Sequence, residues 1–395
     1  MGLNPARASN LVTMTSPAQQ STTASLVFHP RSLPASRLLA DFTTMHVGGL
    51  ADRLIVVNSV DEMITWTRQA DDSKTPLLII SGGSNLLVGD SGFPGLVLIV
   101  NFTDLPVAWS EAWGTLPGST TAQPPTMTPP AAATIKLRVA AGVVWDHLVA
   151  ASVDHRWSGL EALSGIPGLV GAAPVQNIGA YGAEASRVIA GLVAWDRQTQ
   201  ILTYLTGQQC QFGYRQSLLK QSKDRYVVLA VDFALQDDAN SAPIAYAELA
   251  RRLGVDPGQT ARVSAVRSAV LAVRDSKGMV FNLADHDSWS AGSFFINPTI
   301  SAEMAEQLPL DAPRFPVGED GVKTSAAWLI EHAGCGRGWG REPATLSHKH
   351  VLALTNRGGA SASQIIDLAR NVRQAVFDHF AIRLEIEPQL VNCQI

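Results

Sequence analysis

The stretch Gly165-Ile-Pro-Gly-Leu-Val-Gly-Ala-Ala-Pro-Val-Gln-Asn-Ile-Gly-Ala-Tyr-Gly182 restricts what this chain can fold into more than any other. Five glycines and two prolines fall within eighteen residues that carry no charge. Glycine and proline weaken helices and strands alike, so the segment predicts a long, tightly folded turn whose backbone comes close to something. Two readings stand side by side. Such a backbone lets main-chain N–H groups converge on an anion, and a phosphate held that way needs no lysine. A loop that merely requires positive φ angles has the same composition.

A second turn favours the first reading. Pro76-Leu-Leu-Ile-Ile80 is a short apolar run of the buried-strand kind, followed at once by Ser81-Gly-Gly-Ser-Asn85 and then Leu86-Leu87-Val88. Strand, small-residue turn and apolar chain form the layout of a backbone anion site. Neither stretch is a Rossmann fingerprint: the spacing at 165 is Gly-x-x-Gly-x-x-Gly, with no strand–helix unit and later acidic residue around it. Neither is a P-loop, which needs Gly-Lys-Ser/Thr. A nucleotide cofactor here would be bound by another fold.

The length of 395 residues allows two or three domains at about 150 residues each. Hydrophobic residues at 46% and charged residues at 16% describe a globular protein. A net charge of -4 gives no basic footprint for nucleic acid and nothing to draw the chain to an anionic membrane. The three cysteines (Cys210, Cys335, Cys393) are too scattered for a disulfide framework or a metal pattern, which suits a reducing cytosol. His348 and His350 are two apart, unlike a helical metal-binding pair, and no metal is expected. The first 35 residues are rich in Ser, Thr, Ala and Pro without an apolar core; they predict a flexible extension with no role in the chemistry, not a secretory signal. No run approaches the roughly 20 apolar residues that span a bilayer.

Strands are expected at 54–57, 76–80 and 96–101, with a helix from the capping box Ser59-Val-Asp-Glu62 to about Ala70. Between Asp104 and Ala133 the chain turns to Pro, Thr, Gly and Ser and predicts an exposed, mobile hairpin loop before a strand resumes at Thr134. Ile365, Leu368, Ala369, Val372, Ala375 and Val376 recur at helical spacing and predict an amphipathic helix over 363–380, followed by a strand at 382–386.

Taken together, these motifs resemble those of the UDP-N-acetylenolpyruvoylglucosamine reductases, the MurB family of flavoenzymes. Thr43-Thr-Met-His-Val-Gly-Gly49 resembles the family's N-terminal element, and the two glycine turns resemble its flavin loops. Cys210-Gln-Phe-Gly-Tyr-Arg-Gln-Ser217 resembles its Tyr-Arg-x-Ser element. Gly292-Ser-Phe-Phe-Ile-Asn-Pro298 and Leu384-Glu-Ile-Glu387 resemble its serine and glutamate elements, and the likeness covers roughly residues 36–395. It implies an α+β, multidomain FAD-binding fold of the MurB and vanillyl-alcohol-oxidase type with a substrate-binding cap, not a Rossmann fold. The implied domains are a flexible extension at 1–35, a discontinuous FAD-binding domain at 36–89 and 370–395, and a second at 90–257 carrying the Pro-rich loop 104–133. The substrate-binding domain is expected at 258–369.

The implied reaction is NADPH-dependent reduction of UDP-N-acetylglucosamine enolpyruvate through non-covalent FAD, in a cytoplasmic monomer that makes peptidoglycan precursors and contacts neither nucleic acid nor membrane. Such chemistry needs a proton donor, groups that hold developing negative charge, and a cavity that excludes water. The resemblance assigns the proton to Ser293 and charge handling to Arg215 and Glu387. Alternation alone puts Glu385 and Glu387 on one face and cannot separate them; the family pattern favours Glu387. Gly82, Gly83, Ser84, Asn85, Gly171, Ala172, Pro174, Gln176, Asn177, Gly179 and Gly182 are the implied FAD contacts. Tyr214, Tyr246, Lys277 and Asn297 are those for the UDP-sugar. A flavin oxidase for alcohols or aldonolactones shares turns of the Gly-Gly-Ser kind but lacks the trio Arg215, Ser293 and Glu387, and a non-catalytic descendant would have lost the Ser or the Glu.

Overall fold

Ser59 places a hydroxyl just ahead of the first long helix, Val60–Asp72, and its Oγ accepts the Glu62 N–H at 3.1 Å. The Glu62 carboxylate reaches back one residue further than the expected capping box, taking the Asn58 N–H at 2.8 Å. The description is a computed structural model covering residues 22–23, 26–110, 112–118, 134–318 and 321–395. Most of the N-terminal extension and the tip of the Pro-rich loop, residues 119–133, lie outside the described residues. Two compact units divide the chain, at 1–33, 55–81 and 98–272 for the first and at 34–54, 82–97 and 273–395 for the second.

The first unit is built on a five-stranded sheet. In spatial order its strands are Thr22–Thr23, Thr134–Ala140, Tyr226–Gln236, Ile189–Asp196 and Ile201–Thr206. All but the first pairing are antiparallel. Every residue of Ile189–Asp196 is buried, as expected of a strand covered on both faces. Across the sheet, Arg138 and Asp232 form a fully buried ion pair at 2.6 Å. The remaining capacity of that pair is satisfied by Tyr204 Oη and Gly114 N–H, which donate to Asp232, and by the carbonyls of Trp109 and Thr115, which accept from Arg138. Trp113 Nε1 donates to the Phe233 carbonyl. Trp109, Trp113, Gly114 and Thr115 are therefore fastened to the sheet, in contrast to the exposed, mobile loop expected over 104–133. Arg31 corrects the N-terminal expectation similarly: its guanidinium donates to the carbonyls of Val100 at 2.7 Å and Ser81 at 3.2 Å, so the extension is held at its end.

The second unit is organised by the helix Ala362–Phe380, one residue longer than its periodicity predicts. Ser361 and Gln364 complete a reciprocal capping box, and Ala381 ends the helix in the left-handed region at φ 55°. Its apolar face (Ile365, Ala369, Val372, Val376) packs in one core with Leu329, Ile330, Leu346, Leu354, Phe294 and Phe295, joined by Met45, Val47 and Leu87 from far earlier in the chain. The strand expected at 382–386 is displaced. Only Ile386 makes a bridge, to Phe295, and the strand proper is Gln389–Val391, parallel to Leu86–Val88. Pro388, which has no N–H to give to a ladder, separates the two. Among the described residues, no helix is long and apolar enough to cross a membrane.

Candidate active site

In the first unit the glycine-rich stretch is a chain of turns, as its composition demands. Its first N–H, from Gly165, donates to Asp146 at 2.6 Å, and Asp146 is held in turn by both terminal nitrogens of Arg267. Burial alone would raise the Asp146 carboxyl, but Arg267 and the Gly165 N–H outweigh that and hold it below the usual carboxylate range. Val170–Ala172 is a 3-10 turn seated on the sheet; a Cβ on Gly171 would lie 2.6 Å from that of Ala141. Pro174 contributes its carbonyl to the Asn177 N–H, and Gln176 beside it is half-buried. Gly179–Ala180 and Ala183–Glu184 close a small hairpin through Tyr181 and the exposed Gly182, both at positive φ.

The Tyr214-Arg215 turn is fastened to this stretch by three side chains. Ser217 donates its hydroxyl to the Val175 carbonyl while accepting the Lys220 N–H as a helix cap. Asn177, fully buried at φ 48°, gives its Nδ2 to Glu184 and to the Gly213 carbonyl, each at 3.0 Å, and its Oδ1 takes the Ser186 N–H. Its amide is thus engaged in building the turn and is not presented to a ligand. Arg215, at φ 55°, donates to the Gly179 carbonyl at 2.9 Å and lies over the Tyr214 ring. Tyr214 is 46% exposed and Tyr246 41%, and the Tyr246 ring meets Tyr181 edge-on at 5.4 Å. Loop and tyrosine pair therefore come together within this unit.

The second unit gathers the other half of the expected residues. Gly83 sits at φ 61° with so little room that a Cβ would fall 1.8 Å from the Phe42 carbonyl oxygen. Asn85 receives the Gln389 N–H on its carbonyl and extends Nδ2 to the Glu387 carbonyl at 3.4 Å. Glu387 gives its own N–H to the Phe294 carbonyl at 2.9 Å, one residue from Ser293. Ser293 and Glu387 are brought together in this way, both half-buried, whereas Glu385 is exposed. Phe294 and Phe295, next in sequence to Ser293, are buried and pack edge-on at 5.3 Å. Asn297 accepts the Ala326 N–H on Oδ1 at 2.9 Å, which fixes the orientation of its amide. Lys277 is half-buried just past the helix Val263–Ser276, its N–H bonded to the Arg274 carbonyl.

Whether these loops suit a flavin nucleotide can be asked of the backbone. Among the described residues the N–H groups of Gly82 and Gly83 have no partner within the protein, and no side chain could replace the hydrogen at Gly83. Within the second unit this turn sets two main-chain donors among small residues, a set that suits a diphosphate. The Gly179–Gly182 hairpin supplies small residues of the same kind within the first unit. A model of an FAD binding domain matches residues 131–204, and one described as the C-terminal domain of UDP-N-acetylenolpyruvoylglucosamine reductase matches residues 284–391. The UDP-N-acetylenolpyruvoylglucosamine reductase of Cutibacterium acnes is 47% identical over 360 residues, 90% of either chain. The chain belongs to the UDP-N-acetylenolpyruvoylglucosamine reductase family. A reductase of the same name from Thermobifida fusca is 46% identical over 90% of this chain and 96% of its own. The fold agrees: the crystal structure of the MurB reductase from Thermus caldophilus superposes with a TM-score of 0.59 at 23% identity, covering 90% of this chain and 97% of that one. This member of the reductase family is accordingly an FAD-dependent oxidoreductase.

Three residues with work in this architecture were not singled out from the reductase motifs. Ser217 was visible only as a motif letter, and its helix-capping role follows from the short helix Leu218–Gln221 behind it. Thr44 too stands in a quoted motif, but it and Asn356 act through partners hundreds of residues away, and for that pairing a single sequence carries no signal.

Proposed function

We propose that the protein reduces UDP-N-acetylglucosamine enolpyruvate to UDP-N-acetylmuramate with NADPH, a step in making peptidoglycan precursors. FAD, when bound, would supply the hydride chemistry that links NADPH to the terminal vinyl carbon. The adjacent carbon then carries enolate-like negative charge conjugated with the substrate carboxylate. Ser293 supplies the proton to that carbon. The Arg215 fork suits a carboxylate or enediolate, and Glu387 shares in handling the charge. Tyr214, Tyr246, Lys277 and Asn297 hold the UDP-sugar, with Lys277 toward the diphosphate. The turns at 82–85 and 171–182 hold FAD without a covalent bond.

The observation that carries this reading is the pair of main-chain links in the second unit, Asn85 to Gln389 and Glu387 to Phe294, which put a flavin-type turn, a glutamate and a serine into one construction. We assign flavin binding to 36–89 with 370–395 and to 90–257, and substrate binding to 258–369, in a cytoplasmic monomer.

The test is anaerobic. NADPH should bleach the flavin, and the enolpyruvyl substrate should restore its colour without oxygen. In Ser293→Ala the bleaching should persist while the return slows by about 100- to 10,000-fold, the usual weight of a positioned proton donor. A flavin reoxidised by oxygen alone would point instead to an oxidase.

A further inference from the structure

We propose that Thr44 is a positioning residue for the reduction, setting where the segment that carries Ser293 stands relative to the turn Gly82–Asn85. The inference rests on the reading of Ser293 as proton donor. Three stretches of the second unit form a closed triangle. The turn is joined to the glutamate segment by the Gln389 N–H on the Asn85 carbonyl at 2.9 Å. The glutamate segment is joined to the serine segment by Glu387 N–H on Phe294 and Ile296 N–H on Glu385, both at 2.9 Å. Thr44 closes the third side. Its N–H donates to the Gly83 carbonyl at 3.2 Å, and its Oγ1 donates to the Ser290 carbonyl at 2.6 Å. Ser290 passes the constraint on, since its own hydroxyl accepts the Gly292 N–H at 3.2 Å, next to Ser293.

The Thr44 end of this side cannot drift to compensate for a lost bond. Thr44 is 8% exposed, so water has little access to replace its hydroxyl. The residues after it are pinned as well: Met45 and Val47 belong to the core, and Asn356 Nδ2 holds the carbonyls of Met45 and His46 at 3.2 and 3.1 Å. The two bonds of Thr44 differ in kind. The one to Gly83 is main-chain and survives substitution. The one to Ser290 belongs to the side chain and does not. Removing the hydroxyl therefore loosens the serine segment and leaves the turn alone, and a donor displaced by about 1 Å loses on the order of 100-fold in rate.

The experiment uses the FAD-loaded enzyme, Thr44→Val as the isosteric loss of hydroxyl, and Thr44→Ser as the rescue. FAD affinity by fluorescence quenching and anaerobic reduction by NADPH should match the unaltered enzyme. Reoxidation by UDP-N-acetylglucosamine enolpyruvate should slow by roughly 10- to 100-fold in the valine variant and recover in the serine variant. Unchanged reoxidation overturns the inference. So does a loss shared equally by FAD affinity and both half-reactions, which would mark a merely structural threonine, and so does failure of serine to rescue. If Thr44→Val does not fold, Thr44→Ala makes the same test, since it too removes the hydroxyl that reaches the Ser290 carbonyl and keeps the main-chain bond to Gly83, with the same selective slowing expected. An unaltered enzyme that the enolpyruvyl substrate fails to reoxidise defeats the functional reading itself, an outcome separable from any effect of the variants.

Discussion

Gly179 lies where one methyl group is too many. An added Cβ would stand 2.8 Å from the Ala183 carbonyl and 3.1 Å from Arg215 Nη1, so the guanidinium must yield or the hairpin must open. Gly179→Ala should lower kcat/KM for the enolpyruvyl substrate by roughly 10- to 100-fold through a displaced Arg215. Steady-state kinetics alongside thermal unfolding would check this, with unchanged kinetics counting against it. The same neighbourhood marks how far residues can be read from sequence. That a glycine was required here was legible, because only a backbone turn explains such a composition. That Asn177 serves the turn with its amide was not, since its partners Glu184 and Gly213 sit seven and thirty-six residues away and motif order does not say which polar group is turned inward.

Between elements, the Asp146–Arg267 pair joins the helix Trp145–Asp154 to Val263–Ser276 and anchors the start of the flavin-type loop. Because its folded pKa is depressed, Asp146 contributes stability above its unfolded pKa of about 3.9 and loses it as pH falls through the folded value. Asp146→Asn should cost about 1–2 kcal/mol at pH 7, after discounting for a side chain 31% exposed. The gap should close as the medium is acidified below about pH 4, read by urea unfolding at a series of pH values. A gap independent of pH would mean that the amide's shape, not the charge, matters. Elements with a strong local signal were legible: the helix at 60–72 follows its N-terminal cap and the one at 362–380 its apolar spacing. The misplaced strand at 382–386 has a physical reason. Alternation records which side chains are buried, and Ile382 and Leu384 are; it does not record whether a partner strand lies alongside.

For the molecule as a whole, the chain passes between its two units five times, after residues 33, 54, 81, 97 and 272. No cut at one peptide bond releases either unit intact. A fragment of residues 273–395 lacks Met45, Val47 and Leu87 from its core and the strand Leu86–Val88 that pairs with Gln389–Val391. Expressed alone, it should show no cooperative urea transition, and a sharp one would contradict the division. Motif order revealed the family because the motifs are local. Which stretches share a core was hidden, because a core that joins Met45, Val47 and Leu87 to residues from Ala291 onward leaves no periodic trace.

The bond from Thr44 to Ser290 spans 246 residues. On a ribosome adding about 5–20 residues per second, the threonine emerges roughly 10–50 s before its partner exists. Met45 and Val47, destined for full burial, wait exposed for that time and longer, until the helix at 362–380 arrives. The nascent chain therefore carries an adhesive apolar segment through most of its synthesis, and yield in a cell should depend on what shields that segment as much as on the stability of the finished enzyme.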